Sequence, residues 1–228
     1  MKKLCIIPAR GGSKRLPGKN IKKLNGKPLV FYTIDAVIKS DIFDKIIFTS
    51  DDDKILNEVK TNYSLDKLYI IKRPLGLASD TSKVIDTVMY LLDDNYDQTW
   101  LTLPTSPLKI AEDFINAAKL LTRDSNSVLS YTEMEFPPTL GLTVKDNNII
   151  EDYDRSNPWQ NGNSRSQDHP TVYRPNGALY GGWTDKLIKS KNFYKGSTKG
   201  YFMPRKRSID IDTQFEFDLA EFILSYGS

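Results

Sequence analysis

The sequence predicts an α/β protein: one three-layer, mostly parallel, Rossmann-like sheet with a small excursion inserted late in the chain. Three observations predict it. Short apolar runs alternate with helical patterns before residue 131, which implies crossover connections and parallel strands between two helix layers. The first apolar run, Lys3-Leu4-Cys5-Ile6-Ile7, feeds a glycine-rich basic loop; in open parallel sheets, ligands sit beyond such strand ends. Finally, 228 residues suffice for one substantial core, and no repeat, low-complexity tract or linker divides them. The expectation is a single domain over 1–228, with residues 133–171 as the excursion.

After the first strand, Gly11-Gly12 frees the backbone for a tight turn, and Lys14, Arg15 and Lys19 follow. Pro28 to Lys39 has helical spacing, with Leu29, Ile34, Val37 and Ile38 near one face. Lys45 to Ser50 predicts a second buried strand. Asp51-Asp52-Asp53 then precedes a helix carrying Ile55, Leu56 and Val59. Leu68 to Ile71 predicts a strand, and Asp80-Thr81-Ser82 opens a helix with Val84, Ile85, Val88 and Leu91. Trp100 to Leu103 is a strand stopped by Pro104, Ile110 to Leu121 a helix, and Ser127 to Tyr131 a strand.

The rhythm breaks between Glu133 and Thr171. Leu142 to Lys145 and Ile149 to Asp152 flank Asp146-Asn147-Asn148, a hairpin signal. Asp154 to Pro170 is polar and aromatic without apolar periodicity. A segment of that length is functional or disordered, and Trp159 argues for the former; a mobile surface loop is the alternative. The sheet resumes at Thr171 to Tyr180. A helix near Thr184 to Ser190, a strand near Gly200 to Met203 and a closing helix from Glu216 to Tyr226 complete the chain.

Composition excludes several classes. The hydrophobic share of 39% and charged share of 27% are those of an ordinary water-soluble protein. Cys5, the one cysteine, excludes an internal disulfide framework and suits a reducing cytoplasm. The N-terminal apolar run is too short for a signal peptide, and no segment reaches membrane-spanning length. His169 is the one histidine, far from any nucleophile-elbow pattern, which argues against a Ser-His-Asp triad or a His-rich metal cluster. The net charge is only +3, yet Met1 to Lys27 holds nine Lys or Arg and no acid. A local cationic mouth of this kind suits a small anionic ligand better than a nucleic-acid track.

Two motifs carry chemistry. The loop from Arg10 to Asn20 offers backbone amides and cations to a polyphosphate, with a solvated basic turn as the alternative. It is not a Walker loop: five residues separate Gly12 from Gly18, and Asn20 stands in place of the hydroxyl. The second is Asp210-Ile211-Asp212. On an extended segment both carboxylates project to one side, and with no His or Cys nearby their hard oxygens suit Mg²⁺, with Mn²⁺ possible. The alternative is a pair of strand-end acids capping the last helix. Asp51-Asp52-Asp53 is a competing cluster; a helix cap is favoured over a glycosyltransferase Asp-x-Asp metal site. Arg205-Lys206-Arg207 is favoured as a solvated basic run over a phosphate contact.

Seven blocks of the sequence, in order, resemble one family. They include Ile7-Pro8-Ala9-Arg10-Gly11-Gly12-Ser13-Lys14, Gly26-Lys27-Pro28-Leu29, Leu77-Ala78-Ser79-Asp80-Thr81, Pro104-Thr105-Ser106-Pro107-Leu108, Arg174-Pro175-Asn176-Gly177-Ala178 and Ser208-Ile209-Asp210-Ile211-Asp212-Thr213. The family is that of the CMP-N-acylneuraminate synthetases, cytidylyltransferases that activate sialic and other nonulosonic acids. The resemblance implies a nucleotidyltransferase sheet and a Mg²⁺-dependent reaction joining CTP to a 2-keto sugar acid with release of pyrophosphate. It implies Arg10, Lys14 and Asp210 as catalytic, and Asp210 and Asp212 as metal ligands. Ala9, Arg10, Gly11, Ser13, Lys14, Asn20, Arg73, Ala78 and Ser82 would contact the nucleotide. Leu103, Thr105, Ser106, Arg165, Arg174 and Asn176 would meet the sugar. The excursion would be the dimerisation element of a homodimer, with Arg165 reaching the partner's site.

Two positions depart from the sialic acid pattern. Leu103 stands where Gln is usual, and Leu140 where a Lys is common; both positions face the acceptor in the family. Lys109 replaces the usual Arg, a milder change. Losing polar partners changes selectivity sharply, so a differently decorated acceptor is expected in place of N-acetylneuraminate. Two other readings stay open at this point. A nucleotide-sugar enzyme would use Asp51 and Asp53 as metal ligands, and a non-catalytic module would bind CTP without product.

Overall fold

A computed structural model describes residues 1–79 and 81–226. Asp80, the expected start of a helix and part of one family block, lies outside the described residues. The chain forms two compact units, one of Met1–Tyr131 with Asn176–Ser228 and one of Thr132–Pro175.

The first unit is built on alternating strands and helices. In chain order these are β1 (Lys3–Pro8), a short ribbon of β2 (Lys23–Leu24) and β3 (Lys27–Pro28), α1 (Leu29–Ser40), β4 (Lys45–Ser50) and α2 (Asp53–Asn62). Then come β5 (Leu68–Lys72), α3 (Val84–Leu91), β6 (Gln98–Thr102), α4 (Ala111–Leu120) and β7 (Ser127–Glu133). The chain goes on through β8 (Leu142–Val144), β9 (Ile150–Asp152), β10 (Tyr173–Trp183), α5 (Thr184–Ser190), β11 (Thr198–Phe202) and α6 (Gln214–Tyr226).

Seven strands make one sheet in the order β11-β7-β10-β6-β1-β4-β5. β1 pairs parallel with β4 and β6, β4 with β5, and β11 with β7. The expected mostly parallel sheet is therefore present. β10 runs antiparallel to β6, in the register Leu179↔Thr102. That seat, between β7 and β6, joins residues far apart in the chain and is not a local property of the β10 sequence. One local feature does serve it: a Cβ at Gly181 would lie 2.7 Å from the Trp100 ring, so the close approach of β10 to β6 needs glycine there.

The two faces of β1 show how the layers form. Cys5 and Ile7 pack into a cluster with Ile34 and Val37 of α1, Ile55 and Val59 of α2, and Phe114 of α4. Leu4 and Ile6 point the other way, onto Val88 and Leu91 of α3 and Leu187 of α5. The fully buried run of β1 thus serves both helix layers, as a doubly covered strand must. A smaller third cluster joins Leu16, Leu24, Leu29 and Leu108 to Ile211, Phe217 and Ala220. It anchors the basic loop and the segment before α6 to common ground. No helix among the described residues is long and apolar enough to cross a membrane.

In the second unit, β8 and β9 form the expected hairpin, in the antiparallel register Leu142↔Asp152. Asn147 and Asn148 both adopt φ of 60° at its turn, a conformation asparagine tolerates. Trp159 donates its indole N–H to Leu140 O at 3.0 Å, so the polar stretch after the hairpin is tied down at that ring. Val144, Ile149, Ile150 and Tyr153 remain exposed.

Candidate active site

A cleft of about 410 Å³ opens where β1, β5 and β6 end. Arg10, Ser13, Lys14 and Asn20 line it from the basic loop, Arg73, Ala78 and Ser82 from the segment after β5, and Leu103 and Thr105 from the end of β6. Asp212 lines it from the segment before α6. Nine residues expected at the nucleotide and sugar, and one expected at the metal, are thus brought to one cavity from four separated stretches.

The basic loop is held by specific bonds. Ala9 N donates to Thr49 O at 2.8 Å, extending the β1–β4 pairing by one residue. Ser13 N donates to Gly11 O at 2.9 Å, which closes the turn. A Cβ at Gly11 would sit 2.7 Å from that of Asp52, so only glycine fits against the neighbouring strand end. Asn20 Nδ2 donates to Arg10 O at 2.8 Å, while its Oδ1 is buried with no partner. A buried acceptor facing a cleft without a donor costs free energy until a ligand supplies one.

The three-aspartate run divides its labour. Asp52 caps α2, accepting from Lys54 N at 2.7 Å, as expected. Asp53 pairs with Lys72 on the surface. Asp51 does something the sequence did not signal: its Oδ1 accepts from Gly11 N at 3.1 Å and from Arg73 at 3.3 Å. It therefore bolts the basic loop to a guanidinium that is only 6% exposed. Arg73 also donates to Thr87 Oγ1 at 3.3 Å, and its Nε is buried without a partner. With Asp51 spent in this way, the Asp51–Asp53 metal site of a nucleotide-sugar enzyme loses its first ligand. Asp51→Asn keeps the shape and removes the charge. It is expected to raise KM for the nucleotide that the resemblance implies about tenfold, read in steady-state kinetics, because a buried guanidinium loses its counter-charge.

Asp210 and Asp212 flank Ile211, which is fully buried and packs in the third cluster together with Ile209. The two isoleucines thus anchor one side of an extended segment, and the carboxylates take the other. Ile211 N donates to Thr105 O at 2.7 Å, tying this segment to the end of β6. Asp212 Oδ2 pairs with Arg15 at 2.8 Å and its Oδ1 with the Lys19 ammonium at 3.3 Å. Lys19 also donates to Ile211 O. Asp210 makes no hydrogen bond or ion pair among the described residues. Asp210 and Asp212 together offer hard carboxylate oxygens of the kind a divalent cation takes, from one short segment, and both oxygens of Asp212 are paired with Arg15 and Lys19. Lys19 is the residue sequence reasoning placed in the loop without a role.

Several expected site residues are placed differently. Ser106 is fully buried and donates to Asn176 O at 3.3 Å. Asn176 is 1% exposed; its Nδ2 donates to Ser208 Oγ at 2.9 Å and its Oδ1 accepts from Ser130 Oγ and Ala178 N. Every polar atom of that amide is used inside the protein, so it fastens β10 to the 203–208 segment and has nothing left for a sugar. Ala9 and Gly11 likewise spend their amides on Thr49 and Asp51. Arg165 and Arg174 belong to the second unit, where Arg165 pairs with Asp168 at 3.6 Å and Arg174 donates to Pro175 O at 3.3 Å. Of the basic run, Arg207 pairs with the fully buried Asp113, a structural tie.

Beneath the cleft lies Lys109. The residue is 3% exposed, and its ammonium donates to Leu103 O and Ser106 O, each at 2.7 Å. Burial pushes its pKa down to about 7, against the opposing pull of Asp210, Cys5 and Asp113.

A family model described as Cytidylyltransferase matches residues 4–221. The pseudaminic acid cytidylyltransferase of Campylobacter jejuni is 33% identical over 229 residues, covering 98% of this chain and 96% of that one. The N-acylneuraminate cytidylyltransferase of Streptococcus agalactiae is 34% identical over 221 residues, covering 95% of this chain and 52% of that one. A solved structure of CMP:2-keto-3-deoxy-manno-octonic acid synthetase complexed with CTP superposes with a TM-score of 0.72. It covers 100% of both chains at 14% identity, and so speaks for the fold alone. With the match spanning nearly the whole sequence, the chain belongs to the cytidylyltransferase family.

Proposed function

We propose that this protein transfers the cytidylyl group of CTP to a nonulosonic, sialic-acid-like 2-keto sugar acid. The anomeric C2 hydroxyl oxygen attacks the α-phosphorus, forming the new C–O–P linkage as the hydroxyl gives up its proton. The bond from the α-phosphorus to the bridging oxygen breaks, and pyrophosphate leaves with that oxygen. The observation that carries the reading is the convergence of Arg10, Lys14 and the Asp212 segment on one cleft at the strand ends. Little covalent work falls to the protein in such a transfer. Charge placed where it develops, and alignment of the two substrates, supply the rate.

In this reading Arg10 and Lys14 hold the phosphates. Asn20 Oδ1 and Arg73 Nε, both buried and unpartnered, offer an acceptor and a donor to the nucleotide. Asp210 and Asp212 would hold Mg²⁺, or Mn²⁺ in its place. Such an ion neutralises phosphate oxygens and the leaving pyrophosphate. The reaction belongs in the cytoplasm, where nucleoside triphosphates are made.

The acceptor is argued from the cleft wall. Relatives of nearly equal identity are named for two different sugar acids, so overall similarity does not choose between them. Leu103 lines the cleft with an apolar side chain where the sialic acid pattern has an amide. An acceptor with an apolar or deoxygenated substituent at that wall is favoured over N-acetylneuraminate, because a polar group there would lose its partner. We further take the exposed apolar residues of the β8–β9 hairpin to cover a second copy in a homodimer.

Pyrophosphate release with CTP, Mg²⁺ and a panel of nonulosonic acids tests the reading. Turnover is expected with a pseudaminic- or legionaminic-type acid at a rate well above that with N-acetylneuraminate. No turnover with any member of the panel overturns it.

A further inference from the structure

Lys109 ends the segment that leaves β6 and turns back into α4. Four bonds from three directions hold that segment. Lys109 donates to Leu103 O and Ser106 O from below, at 2.7 Å each. Ile211 N donates to Thr105 O at 2.7 Å from the side that carries Asp210 and Asp212. Ser106 Oγ donates to Asn176 O at 3.3 Å from β10. Between these ties, Leu103, Pro104 and Thr105 face the cleft.

A buried ammonium has three donors and no acceptor, and its burial is costly unless it is multiply hydrogen-bonded. A hydrophobic residue at 109 would fill the same core next to Leu108 at lower cost. The buried amine therefore has a use besides filling space: its donors draw two carbonyls of one short segment onto a single point. With both carbonyls turned inward, the side chains of Leu103 and Thr105 are left to form the wall. The nucleotide side of the cleft is fastened independently, through Thr49, Asp51 and Asn20.

We propose that Lys109 is a positioning residue for the acceptor, its ammonium fixing the 103–106 wall that the sugar acid meets while leaving the CTP loop untouched. The proposal rests on the reading that the cleft joins CTP to a sugar acid, and it adds to that reading a residue which touches neither substrate.

The test compares wild type with Lys109→Gln, Lys109→Met and Lys109→Arg in steady-state kinetics and in amide hydrogen exchange. The Gln and Met variants are expected to raise KM for the sugar acid about tenfold or more, with KM for CTP within about twofold of wild type. Lys109→Arg, which keeps charge and donors, is expected to restore the acceptor KM. In exchange, segment 103–108 should lose protection in the Gln variant while segment 9–20 keeps it. Equal rises in both KM values, no rise in either, or unchanged exchange over 103–108 overturns the proposal. So does loss of cooperative melting in both neutral variants, which would make Lys109 a core residue only. Wild type without turnover refutes the parent reading alone, and the exchange measurement then decides the role of Lys109 by itself.

Discussion

Arg10→Met is expected to lower kcat/KM for CTP about a thousandfold, with the melting temperature unchanged. The size follows from what one preorganised cation or donor contributes to a charged transition state, roughly 3–4 kcal/mol. The unchanged stability follows from the geometry. Arg10 is exposed and lines the cleft, and the bond from Asn20 Nδ2 to its backbone carbonyl survives the substitution. Pyrophosphate release and a thermal melt on the same preparation check both halves. A loss under tenfold would remove Arg10 from the phosphate site.

Asn176→Ala is expected to act through stability. Its amide joins Ser130, Ser208 and Ala178 at 1% exposure. Truncation removes three buried hydrogen bonds and opens a cavity, which costs about 3 kcal/mol or more. For a chain of this length that is a fall of roughly 6–12 °C in melting temperature. The acceptor KM of whatever remains folded should change little. A large rise in acceptor KM with no change in melting would return Asn176 to the sugar site that its motif suggested.

These two residues mark where sequence reasoning succeeds and where it stops. Arg10 was legible because a glycine turn, a local excess of cations and a strand end coincide within a few residues. The strand and helix rhythm was legible for the same reason: apolar periodicity is a local signal. Asn176 was placed at the sugar because its block resembles a family motif. A motif marks that a residue matters and is silent on whether its side chain faces the cleft or the core. Asp51 shows the reverse case. Within the run Asp51 to Asp53 the three carboxylates look alike, and only the fold sends one to a cap, one to a surface lysine and one to Gly11 and Arg73.

By itself the sequence determined the α/β class, the strand that delivers the basic loop, the hairpin with its Asn-Asn turn, and the family. Each follows from residues close together in the chain, where backbone preference and side-chain period act directly. Tertiary structure alone decided the antiparallel seat of β10, the bolt from Asp51 to Arg73, the grip of Arg15 and Lys19 on Asp212, and the ammonium of Lys109 under the cleft wall. Those pairings join segments from a few residues to nearly two hundred residues apart. For Arg73, Lys19 and Lys109 the partners are set by burial, because a cation left without hydrogen-bond partners out of water costs most.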